Sequence, residues 1–149
     1  MTRPTPTGRD STADVSDVGA TLRAANLRPT RQRRALASLL FSGGDRHVTA
    51  ERLHEQARDL GVQVSLATVY NALHQFTEAG LLRELVVDAD RAYFDTNTRH
   101  HHHFYDEKTG VLTDFPGAAG TLETLPEAPT GSHVTRVDIV VRVSRDKGS

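Results

Sequence analysis

At 149 residues, with 37% hydrophobic and 25% charged side chains, the chain can bury the core of one ordinary domain or two small ones. It has no apolar run near the ~18–20 residues of a membrane span and no secretory signal in MTRPTPTGRDSTADVS, so it is expected to be cytoplasmic with no membrane partner, and zero cysteines exclude disulfides, thiolate zinc and cysteine-based haem ligation. The net charge of −1 excludes a uniformly basic molecule but conceals an asymmetry: residues 1–84 carry 11 Lys and Arg against 9 Asp and Glu, and residues 85–149 carry 7 against 10.

Residues 1–15 read as a disordered arm. A helix is predicted from about Asp17 to Ala25. The next begins at Thr30, an N-cap following Pro29, with Leu36, Leu39 and Leu40 at helical spacing and SGG at 42–44 as its end. Five arginines (Arg23, Arg28, Arg31, Arg33, Arg34) and no acid lie between Thr21 and Leu40. Such a local field attracts phosphate, although an ordinary solvated helix face has the same composition. A third helix is predicted from Thr49, with Leu53, Ala57 and Leu60 on one face and Gly61 as its stop.

Ser65 caps a fourth helix that Gly80 closes. Leu66, Val69, Leu73 and Phe76 form its buried stripe. Thr68, Asn71 and Gln75 occupy another face with Tyr70 at its edge, where polar side chains can reach base edges and a tyrosine can stack on a base. LLRELVVDADRAYFD then predicts two short strands around a polar turn at Asp88–Arg91. Helix, short connection, capped helix and hairpin is the order of a winged helix-turn-helix, with the fourth helix as recognition helix and the hairpin as wing.

DTNTRHHHHFYDEKTG, residues 95–110, places four histidines inside the chain. An internal run followed at once by an aromatic pair and a turn is not the form of an expression tag. HHHHFYD is predicted as a strand, DEKTG as a turn and VLTDF as the returning strand. Alternation puts His101 and His103 on one face and His100 and His102 on the other, each pair about 7 Å apart at Cα, a common start for a metal site. Asp95 and Asp114 are the nearby acids. A mixed nitrogen and oxygen site suits iron(II), manganese(II) or zinc(II), and haem is a further candidate for the histidine run. Beyond a Pro/Gly-rich stretch with a predicted short helix around Gly117–Leu125, SHVTRVDIVVRV is predicted as one long half-buried strand. A small sheet with few helices to cover it would dimerise, and two-fold symmetry would match a palindromic operator; a tetramer is also compatible.

Taken together, these segments resemble the ferric uptake regulator superfamily over about Leu27 to Val143. RPTRQRRALASLL is similar to its second helix, HVTAERLHEQA to its third, SLATVYNALHQFTEAGLL to its recognition helix and HHHHF to its histidine-rich strand. Within the superfamily, LATVYNALHQFTEAGLLRE, YFDTN, the histidine run before Phe104 and VDIVVRV resemble most the iron response regulator branch of alphaproteobacteria. The resemblance implies an α+β protein: a winged helix over residues 16–95 and an α/β dimerisation and metal- or haem-binding domain over 96–149. It implies a regulator of iron and haem genes that is not an enzyme and binds a double-stranded operator as a homodimer.

Carried over by position, the resemblance makes His47, Asp95, His101, His103 and Asp114 the regulatory metal ligands. It makes His100 and His102 ligands of a second site and haem candidates, with Glu123 and His133 as candidates to complete that site. Arg28, Arg31, Arg33, Ser65, Thr68, Tyr70 and Asn71 form the DNA-binding set. Three departures matter: the four-cysteine zinc site is absent, Asn71 stands where a basic residue is usual, and no cysteine-containing haem motif exists. Rival readings are a conventional iron, manganese or peroxide sensor without a haem role, a small metal-dependent hydrolase, and a structural metalloprotein. Against the hydrolase stand the recognition helix and the lack of an obvious general acid or base beside an open coordination position.

Overall fold

A computed structural model describes residues 14–99, 101–115 and 126–144. The arm up to residue 13, His100, the helix expected around Gly117–Leu125 and Glu123 lie outside the described residues. The chain divides into two compact units, Met1–Thr98 and Arg99–Ser149. Helices and sheets together make the fold α+β. Among the described residues, no helix is long and apolar enough to cross a membrane.

In the first unit, α1 (Asp14–Ala24), α2 (Arg31–Phe41), α3 (Ala50–Asp59) and α4 (Leu66–Glu78) precede the hairpin of β2 (Arg83–Asp88) and β3 (Arg91–Asp95). Asp14 and Val15, expected in the arm, begin α1. The three later helices start where their caps dictate. Thr30, Thr49 and Ser65 have extended backbones, and their hydroxyls accept the amide N–H of Arg33, Arg52 and Thr68. Each cap satisfies a donor that the helix cannot, worth about 1 kcal/mol. The stops are equally local. Gly61 and Gly80 have φ of 75° and 80°, and the amides after them reach back to Ala57 and Phe76 at 2.9 Å, the six-to-one bond that closes a helix. Asn26, at φ 59°, ends α1 in the same way, its neighbour Leu27 donating to the Leu22 carbonyl.

Leu22, Leu36, Leu40, Leu53, Leu73, Phe76 and Phe94 are completely buried in one core that joins the helices to the hairpin. Each such side chain contributes roughly 1.5–3 kcal/mol over leaving it in water. The wing sheet has a third strand that the sequence did not announce. Residues His47–Val48 form β1, antiparallel to β3, in the order β1-β3-β2. Two residues are too few to show alternation, so no strand was expected before the helix at Thr49.

In the second unit, β4 (His103–Asp106) pairs antiparallel with β5 (Leu112–Asp114) and parallel with β6 (Val140–Val143). Two expectations are corrected. The histidine strand starts at His103, so His101 and His102 lead into it. The long half-buried strand predicted over SHVTRVDIVVRV is a strand only at Val140–Val143, and there it is largely exposed. A ladder extends only as far as a partner does. Strand β4 offers four positions to β6, and these take Val140 to Val143.

Candidate metal centre and nucleic-acid interface

In the first unit the wing sheet brings His47 and Asp95 together. They are direct partners across the β1–β3 ladder, and His47 Nε2 lies 3.1 Å from Asp95 Oδ2. Asp95 is 1% exposed, and its Oδ1 accepts the Asn97 amide at 2.9 Å. Arg83, the partner of Asp95 on the other neighbouring strand, β2, is also buried. Arg46 fastens this end of the sheet to the helices. Its guanidinium donates to the Leu39 carbonyl and to Gln56 Oε1, both at 2.9 Å, and its amide donates to Thr96 Oγ1 at 2.9 Å. Burial first, and then the charge of Arg52, lower its pKa from the ordinary arginine value. Neither arginine was foreseen, because nothing in the spacing separates them from surface arginines.

In the second unit the β4–β5 register sets His103 opposite Asp114. Asp114 Oδ1 lies 3.3 Å from His103 Nε2 and 3.4 Å from His101 Nε2. The two imidazoles meet edge to face with centroids 4.5 Å apart. His101 Nδ1 is 2.6 Å from the Arg99 carbonyl. A carbonyl only accepts, so Nδ1 donates to it, and Nε2 is the nitrogen left facing the Asp114 carboxylate. Two electron-rich atoms at that distance require a positive charge between them, a proton or a metal cation. The donor set therefore fits a divalent ion, with the Arg99 carbonyl orienting the ring as outer partners of metal-bound histidines do. His103, Asp114 and His101 are three ligands within reach of one ion.

The other histidines of the run differ. His102 Nδ1 accepts the Ile139 amide at 3.2 Å, and its ring packs edge-on against Phe115. Its proton is thereby placed on Nε2. His133 is exposed.

The helical face carries the remaining residues. Arg28 and Arg31 are exposed at the start of α2, and Asn71 is exposed on α4. Arg33 bonds the Arg28 carbonyl at 3.0 Å and Gln75 Oε1 at 2.9 Å. Ser65 Oγ lies 2.8 Å from Thr68 Oγ1 as well as capping α4, so its first role is to start the helix. Tyr70 donates its hydroxyl to Glu51 Oε1 at 2.7 Å. That hydrogen bond, then desolvation, then the Glu51 charge raise its pKa above the usual phenol value. Its ring lies near-parallel to His74 at 6.4 Å. Glu51 was not foreseen, because it sits on α3, nineteen residues away.

Comparison with known proteins gives three findings. A sequence model described as the ferric uptake regulator family matches residues 24–143. The peroxide-responsive repressor PerR of Staphylococcus epidermidis is 36% identical over 96 residues, 64% of this chain and 63% of that protein, so the alignment spans less than two thirds of either. Similar folds include the ferric uptake regulator of Vibrio cholerae (TM-score 0.67, 22% identity, 85% of this chain and 98% of that one). Another is the ferric uptake regulator of Pseudomonas aeruginosa, determined with manganese (TM-score 0.64, 26% identity, 87% and 98%).

Proposed function

The chain belongs to the ferric uptake regulator family, and from that membership we propose that it is a metal-responsive transcriptional regulator that binds a double-stranded operator as a homodimer. Residues Arg28, Arg31, Arg33, Thr68, Tyr70 and Asn71 are the proposed DNA-contacting set, with Ser65 holding the end of α4 that faces the groove. His47, Asp95, His101, His103 and Asp114 are the proposed regulatory ligands. The observation that carries the metal reading is the Asp114 carboxylate oxygen facing two imidazole Nε2 atoms, one of whose rings is oriented by the Arg99 carbonyl at Nδ1.

When bound, a divalent cation supplies the positive charge that these donors share. Occupancy changes operator affinity only as far as the DNA-competent arrangement holds the cation more tightly. Moving a site from mostly free to mostly bound needs several kcal/mol of such difference.

The choice of signal is finer. Iron(II), manganese(II) and zinc(II) all suit the donors, and a conventional iron, manganese or peroxide sensor has support in the PerR likeness. An iron and haem regulator, as the iron response branch would be, draws on His100 and His102. In this structure Nδ1 of His102 is committed to the Ile139 amide, so ligation through either of its nitrogens would break or oppose that bond, which favours the metal reading. Titration with haemin and, separately, with manganese(II) and iron(II) tests this. Metal binding that His101→Ala/His103→Ala abolishes, without a Soret shift in wild type, is expected. A Soret shift lost in His102→Ala would replace the metal reading by haem sensing.

A further inference from the structure

We propose that Arg33 sets which base α4 selects, by fixing the orientation of the Gln75 carboxamide; this rests on the DNA-reading function proposed above. The two side chains come from different helices, and Arg33 Nη2 donates to Gln75 Oε1 at 2.9 Å in a part-buried contact. A guanidinium has donors and no acceptor, so the carboxamide must turn its oxygen toward Arg33 and its amine away. Arg33 is itself held, its Nη1 donating to the Arg28 carbonyl at 3.0 Å. Gln75 lines an open cleft of about 390 Å3 between α2 and α4 together with Thr68 and Asn71, and among the described residues no acidic side chain lines it. The cleft can therefore admit a polyanion to within reach of that amine.

A glutamine free to present both ends pairs bidentately with adenine, accepting from N6 and donating to N7. With its oxygen turned toward Arg33, Gln75 is held so that it leads with its amine, and donors are what it presents to a base. Donors alone suit guanine, with N7 and O6 acceptors, and thymine O4. They leave the amine of adenine or cytosine facing another amine. Arg33 is a positioning residue in this scheme, and the base facing Gln75 in each half-site is guanine or thymine.

The test is selection from a randomised operator pool by the full chain with manganese(II) present, comparing wild type with Arg33→Met, Arg33→Lys and Gln75→Glu. Wild type should select guanine or thymine at the position that responds to Gln75. Arg33→Met frees the carboxamide oxygen and should shift that position toward adenine by about tenfold. Arg33→Lys keeps a donor and should keep the wild-type preference. Gln75→Glu, which can only accept, should move the same position toward cytosine. A purely structural or phosphate-binding Arg33 would lower affinity for all sequences alike and alter no position, and that result overturns the inference. Should Arg33→Met not fold, an unchanged preference in Gln75→Glu overturns it equally. Failure of the wild-type chain to enrich any sequence would overturn the DNA-reading function and this inference with it, whereas enrichment with unaltered variants overturns the inference alone.

Discussion

Single side chains in this protein take their roles from the partner across from them. In the sequence Asp114 stands out only as one of two acids near the histidine run. The β4–β5 register makes it the group that faces both His101 and His103. Asp114→Asn keeps the shape and removes the charge, so it should weaken manganese(II) affinity by roughly 10–100-fold while the apo chain still folds, which calorimetric titration reads directly. Glu51 is a second case. It accepts the Tyr70 hydroxyl and holds a negative charge beside a residue proposed to meet DNA. Glu51→Gln preserves an acceptor and removes that charge. Operator affinity should therefore rise by about two- to fivefold in low salt and converge on wild type in high salt. Equal affinities at every salt concentration would show that Glu51 lies outside the phosphate field.

At the level of elements, the helices are fixed by their ends and the strands by their neighbours. Ser65→Ala removes the hydroxyl that accepts the Thr68 amide, and should cost about 1 kcal/mol in urea unfolding. Arg46→Ala should cost more, about 1–3 kcal/mol, because the Leu39 carbonyl and Gln56 lose a charged donor in a part-buried setting. A loss from Arg46→Ala no larger than that from Ser65→Ala would mean water replaces it freely. This difference in origin explains what could be read from sequence. Thr30, Thr49, Ser65, Gly61 and Gly80 are local signals, and the starts and stops they mark are those of α2, α3 and α4. The ends of strands are non-local. Alternating valines predicted twelve residues of strand near the C-terminus, but β4 pairs with only four. His47 was singled out by resemblance and not by pattern, because a two-residue strand has no period, and its pairing with Asp95 depends on a ladder between residues 48 apart in sequence. Arg46 and Glu51 act through tertiary contacts that no spacing encodes.

For the whole molecule, a net charge of −1 does not oppose DNA binding, because the arginines are gathered at α1 and α2 and the acids are in excess after residue 84. Affinity for an operator should fall steeply as salt rises, with a log–log slope of several units that becomes shallower by about one for each of Arg28 and Arg31 replaced by alanine. A slope near zero would remove phosphate contact from the account. On this reading the His and Asp ligands make operator affinity depend on a metal. Fluorescence anisotropy of a labelled operator, with chelator and then with manganese(II), in wild type and in His101→Ala/His103→Ala, tests it most directly. Wild-type affinity should change at least tenfold with metal, corresponding to about 1.4 kcal/mol of coupling, and that of the double variant not at all. The reading would be contradicted by wild-type affinity that ignores the metal, or by a metal response that the double variant keeps in full.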